Sequence, residues 1–262
     1  MRKLFLVTLV SIFAAVLFSS NIFAQGQAKI IDLRGNVQIK CKVGSSCWEE
    51  AQLDMLLEEE SQIKTTGDSE CLLTFDQELE NVVEVKENTQ MTIKSVEPGE
   101  IFLPQGRVFA IIEGLSEHEK FEVKTPTATA GARGTGWSTE SSKEGTKASC
   151  FENKIYVNSS MADTKNIPTG SGINVGPNGK LGNLFGLGNK EWAEWGDFKK
   201  GVENRRNEKF EQVKGSRRDD SLDDLMGEAK DAHGEDFIEE QRTLKEAQFQ
   251  STENRGGNGS EE

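Results

Sequence analysis

The stretch TPTATAGARGTGWSTE, Thr125 to Glu140, decides how the chain is read. Three glycines, Gly131, Gly134 and Gly136, fall within six residues and resemble a phosphate loop. Such a loop needs a strand before it, a helix after it whose amides hold the anion, and a Lys followed by Ser or Thr. None of these is present in the sequence. Counting by two instead gives one face of Thr125, Thr127, Thr129, Gly131, Arg133 and Thr135. The other face is Pro126, Ala128, Ala130, Ala132, Gly134 and Gly136, all small apart from the proline. Small side chains let a strand run close under a neighbouring layer, and glycine lets it turn a corner. The glycines therefore read as architecture.

The surroundings agree. From Lys29 to about Val175, short runs rich in Val, Ile, Thr and Phe, such as SECLLTF, VVEVK and RVFAIIEG, are separated by turn residues. This predicts a mainly β domain of many short strands in a roll, barrel or sandwich. The glycine-dense NVGPNGKLGNLFGLGN reads as a last loop and a linker over 179–190. Beyond it, Trp192, Trp195, Phe198 and Val202 share a helical face, expected to dock on the β domain, with a partner-binding helix as the alternative. A second helical stretch is expected to start at Ser221, with Asp224 completing a capping box. The acidic helical region is set at 191–250 and a disordered tail at 251–262.

The opening MRKLFLVTLVSIFAAVLFSSNIFAQG has the order of a secretory signal, with cleavage expected after Ala24 and a β domain over 25–178. An uncleaved anchor is the alternative. The chain carries a formal charge of −13, and loss of Arg2 and Lys3 with the signal takes it to −15. Such a surface repels phosphate backbones, which argues against nucleic acid as a partner. The periplasm or the exterior is the expected location, with no membrane span once the signal is removed.

Candidate chemistry is sparse. His118 lies in a turn, and His233 with Asp236 three residues on would share a helical face, but two ligands make a poor metal site; Asp219, Asp220, Asp223 and Asp224 lack the spacing of a calcium loop. No nucleophile with base and orienting group can be assembled. The expectation is no enzyme, no metal and no cofactor. Trp48, Phe75 and Trp137 read as core and not as carbohydrate platforms.

FEVKTPTATAGARGTGWSTE, followed by TKASCFENKIYV, resembles the core motif of the FecR domain, whose hallmark is Thr-Pro, small residues and then Arg-Gly-Thr. The upstream WEEAQLDMLLEEESQIKTTGDSECLLTF is similar to that family's first segment, and the resemblance spans about 28–178. Thr125, Pro126, Arg133, Gly134 and Thr135 are its structural motif residues, with Arg133 expected to clamp strands and binding of a ligand anion as the alternative. Two departures stand out: Glu60-Ser61 replace the usual Gly-Asp, and Asp76-Gln77-Glu78 replace an Asp-Gly turn. The resemblance implies a non-catalytic module that senses or holds an envelope component and signals to an envelope or membrane protein. A wall-associated structural protein that binds glycan is the alternative.

Four cysteines in an exported chain favour disulfides. Cys41 and Cys47 flank the turn-rich KVGSS and would staple a local hairpin. Cys71 and Cys150 lie on the inward sides of strands matching the family, and the remaining bond expected is Cys71 to Cys150, with two buried reduced thiols as the alternative because inward strands need not be neighbours.

Overall fold

The computed structural model describes residues 27–40, 47–115 and 119–233, with side chains described as far as residue 214. The expected signal, Cys41 and His118 lie outside the described residues. Among those described, seventeen strands precede one helix. The first eight are β1 (Ala28–Arg34), β2 (Val37–Lys40), β3 (Glu49–Glu50), β4 (Leu56–Leu57), β5 (Gln62–Thr65), β6 (Glu70–Thr74), β7 (Asn81–Val85) and β8 (Gln90–Ser95). A long central strand follows, β9 (Glu100–Ile112). The remainder are β10 (Phe121–Lys124), β11 (Ala128–Ala132), β12 (Thr135–Ser142), β13 (Gly145–Cys150), β14 (Lys154–Ser159), β15 (Thr164–Pro168), β16 (Ser171–Val175) and β17 (Leu181–Gly186). The helix is α1 (Asn189–His233).

The strands form one mixed hydrogen-bonded sheet that divides into two layers at β9. One layer runs β4-β1-β6-β7-β9-β12-β13-β16-β17. The other runs β3-β2-β5-β8-β9-β10-β11-β14-β15, with β9 and β10 parallel. The first half of β9 belongs to the second layer, and Gly106 onward belongs to the first. Gly106 makes that crossing possible: its φ is +101°, and a Cβ there would lie 2.2 Å from the Thr89 hydroxyl.

Between the layers lies the main core, where Phe75 meets Phe121 edge-on at 5.0 Å and Phe121 meets Trp137 at 6.2 Å. The first layer also has an apolar outer face, made of Leu72, Val82, Phe109, Ile111 and Phe151. Burial on both sides explains why Val108 to Ile112 is apolar without alternation. Trp195, Phe198 and Val202 of α1 cover the outer face, with Trp195 stacked on Phe151 at 4.7 Å. Each such side chain taken out of water contributes about 2 kcal/mol.

The described residues up to Glu203 form one compact unit, and those from Asn204 belong to a second. In the second, the described residues continue α1, with Phe210 and Val213 exposed and Arg205 paired with Glu208.

Several expectations are corrected here. The supposed linker at 179–190 contains β17, hydrogen-bonded along β16, so the β layer runs past 178. Glycine in this stretch serves close packing: a Cβ on Gly182 would lie 2.9 Å from the Asn174 carbonyl oxygen. The helix does not restart at Ser221 but runs through it. No proline interrupts the chain there, and Gly215 and Gly227 on either side of Ser221 cost only about 1 kcal/mol each in a helix. The cap is instead at the true start, where the Gly188 amide donates to Glu191 at 2.7 Å, half of a capping box.

Cys71 and Cys150 are both buried and inward-facing, as their strand positions imply, but both are free thiols. β6 and β13 are separated by β7, β9 and β12, so four strand spacings, about 19 Å, lie between them. A disulfide needs Cα atoms within about 7 Å. Cys47 is exposed and free in the structure.

The two departures in the upstream segment also take shape. Glu60, in place of glycine, holds φ +66° and pairs with Lys94 at 2.9 Å. In the rebuilt turn, the Asp76 carboxylate accepts from the Glu80 amide at 2.9 Å and the Asn81 amide at 2.5 Å. Leu79 adopts φ +61° there and tucks its side chain into the outer apolar face.

Candidate functional site

The motif carries the chain from one layer to the other. β11 lies in the second layer, Arg133 and Gly134 make the turn, and β12 lies in the first. Ala128, Ala130 and Ala132 point into the core. The Thr125 hydroxyl closes the preceding bend: it donates to the Ala128 carbonyl at 2.9 Å and lies 2.6 Å from the Thr146 hydroxyl. Pro126 is exposed within that bend. The Thr135 hydroxyl donates to the Glu152 carbonyl. Gly134 holds φ +58°, and its carbonyl accepts from Asn153 at 2.5 Å. A strand follows the glycines and not a helix, so the geometry for phosphate is absent.

Each remaining glycine of the motif lies beneath an aromatic ring. A Cβ on Gly131 would stand 2.4 Å from the Tyr156 hydroxyl, and one on Gly136 would stand 2.2 Å from the Trp195 ring. Sequence counting gave Gly136 no partner, because the ring that covers it arrives from a helix about sixty residues later.

Arg133 is placed differently from expectation. It is exposed at the tip of the turn and, among the described residues, makes no ion pair or hydrogen bond. It therefore clamps no strands. Its charge reaches Tyr156, whose hydroxyl donates to Glu122 at 2.6 Å. Lys120 is 2.5 Å from the same Glu122 oxygen, and Lys124 pairs with Glu100 at 2.6 Å. Burial opposes ionisation of Glu122, but the hydrogen bonds from Lys120 and Tyr156 hold its carboxyl below the usual range. Burial, followed by the Glu122 hydrogen bond, raises the Tyr156 phenol.

A groove of about 560 Å³ lies on the outer side of the first layer, beside Glu194 and Asp197 of α1. Its floor is a charge network: Lys86 meets Glu70 at 2.8 Å and Glu84 at 3.2 Å, and Arg34 meets Glu70 at 3.2 Å. Burial pushes the Glu84 carboxyl up against the pull of Lys86. Cys71 borders this groove, but its thiol is fully buried and pushed up to about 12, which keeps it protonated and unreactive. Among the described residues no His, Cys, Asp and Glu group is placed to hold a metal.

Trp137, Phe75 and Trp195 are all buried, and Trp48 is half-buried. Aromatic rings available to a sugar are therefore few on the β layers.

A two-layer β domain turned by a Thr-Pro…Arg-Gly-Thr corner is the class of protein that this geometry defines. Residues 53–156 match the family model described as FecR protein, and the chain carries a FecR domain there. No protein of curated function matches the chain. Among solved structures it is similar to two crystal structures of a "putative anti-sigma factor" from Parabacteroides distasonis ATCC 8503, at 1.65 and 2.50 Å resolution. Each is 15% identical with a TM-score of 0.43 and takes in 51% of this chain. The chain spans 63% of the length of that protein.

Proposed function

We propose that the chain is an exported, non-catalytic FecR-domain module of the cell envelope, in the periplasm or outside the cell, that senses or holds an envelope component and signals to a protein partner. The FecR domain over 53–156 carries this reading. Arg133 is a ready contact for such a partner, because it is exposed at the tip of the turn and, among the described residues, makes no ion pair or hydrogen bond. The N-terminal apolar leader supports export, with Gln25 as the first mature residue. Among the described residues no helix is long and apolar enough to cross a membrane.

The test is photo-crosslinking in cells with a benzophenone side chain at position 133, joined to intact-mass measurement of protein from the envelope fraction. A discrete adduct with one envelope protein and a mass starting at Gln25 are expected. Retention on insoluble wall material without a protein adduct would overturn the relay in favour of glycan binding.

A further inference from the structure

The groove on the outer side of the first layer plays no part in the relay reading and is built independently of it. Its volume of about 560 Å³ falls within the range of small-molecule sites, about 300 to 1,000 Å³. Two cross-strand rows of side chains from β1, β6 and β7 line its β wall. One is Arg34, Glu70 and Lys86, in which two cations flank one acid. The other is Asp32, Leu72 and Glu84, in register across the same three strands. Here two acids flank a leucine, and the row holds no cation.

The cations nearby do not make up the difference. Lys86 lies 3.2 Å from Glu84 Oε2, but it donates to Glu70 at 2.8 Å, and that enclosed oxygen of Glu84 accepts no hydrogen bond. The Arg34 side chain is 70% exposed, so water screens its pairing with Glu70. On the helix wall, Glu194 is met from beside the groove by Arg107 at 2.8 Å and Lys190 at 3.9 Å. Asp197, exposed on the same wall, makes no ion pair among the described residues. Asp32, Glu70, Glu84 and Asp197 thus face only Lys86 and Arg34 within the groove, two positive charges short.

The spacing of the deficit selects the ligand. A metal ion needs several oxygens around one point, and among the described residues no three acidic, His or Cys groups converge in that way. Asp32 and Glu84 are two strand spacings apart, about 10 Å, with apolar Leu72 between them and Phe198 of α1 beside it. A lysine or arginine side chain brings one charge and can satisfy only one end. We propose that the groove binds a linear diamine or polyamine, laid across β1, β6 and β7 with one ammonium at Asp32, another at Glu84 and its methylenes over Leu72. About four methylenes between the two nitrogens, with a hydrogen bond of about 2.8 Å at each end, span that distance. Asp197 adds its charge from the helix side.

Titration calorimetry of the purified full chain with putrescine tests this, in about 0.15 M salt so that distant surface charges are screened. One saturable site is expected. Asp32→Asn and Asp197→Asn should each weaken it, the first by about tenfold as one charge-assisted hydrogen bond is lost. Glu144→Gln, at an exposed acid of the β12–β13 hairpin, should leave it unchanged. Propylamine, with one charge, and magnesium, with two at one point, should each bind at least about tenfold more weakly than putrescine. Absence of a saturable site overturns the proposal. So does equal binding by propylamine or magnesium, or a loss on Glu144→Gln as large as that on Asp32→Asn, since either reports general attraction to an acidic chain.

Discussion

The Trp195 indole occupies the space that a side chain on Gly136 would fill, 2.2 Å from the position of its Cβ. A glycine of the β motif and a tryptophan of the helix are thus complementary shapes. Gly136→Val should destabilise the fold by about 1 to 3 kcal/mol through overpacking. Chemical denaturation should also show that Gly136→Val and Trp195→Ala together cost less than the sum of the two, because the small residue at 195 makes room.

The docked part of α1 is integral to the β unit. A chain truncated after Pro177 loses β17, Trp195, Phe198 and Val202, and leaves Phe109 and Phe151 bare. Removing those three helix side chains forfeits about 6 kcal/mol of burial. Calorimetry should show loss of the cooperative melt, whereas a chain ending at residue 214 should melt close to the full chain.

Glu191 gives the fold a dependence on pH. Burial opposes its ionisation, but the Lys147 hydrogen bond, the Gly188 amide and the Lys147 charge together hold it below its usual value of 4.5. Because the folded-state value is the lower one, its stabilisation is fully present above pH 4.5 and fades as pH falls through the folded value. Glu191→Gln should cost about 1 kcal/mol at pH 7, as a partly buried ion pair at a helix start. Urea denaturation should find the gap closing at pH 3.

Arg133→Ala should change stability by less than about 0.5 kcal/mol, as an exposed residue without fixed partners. If it contacts a partner, the loss will appear in crosslinking and not in the melt.

Cys71 and Cys150 should resist alkylation in the native protein, their thiols being pushed by burial up to about 12 and about 11. In denaturant without reductant, both should label completely; mass spectrometry of a linked 71–150 peptide would contradict the strand order.

Local pattern was legible in the sequence wherever one residue's neighbours along the chain fix its role. The mainly β class, the inward alanines of β11 and the docking face of Trp195, Phe198 and Val202 follow from period alone. Strand neighbours do not. Cys71 and Cys150 both point inward, and only the order of the strands between them shows that they cannot meet. Arg133 was misread for a related reason: strict alternation over Thr125–Gly136 presumes one continuous strand, whereas the turn at Arg133–Gly134 breaks the count. The glycines of β17 were misread because linkers and close-packed edge strands use the same composition.

β9 has a further consequence for how the chain assembles. In both layers, every strand on one side of it comes earlier in the sequence and every strand on the other side comes later. Among the described residues, no ladder joins the two groups except through β9. The early half can therefore finish its own pairing and present β9 as a ready-made template, on which the late half is laid down strand by strand. Until β10 and β12 arrive, that template is an open edge thirteen residues long. Misassembly, such as the exchange of late halves between two nascent molecules, would begin there.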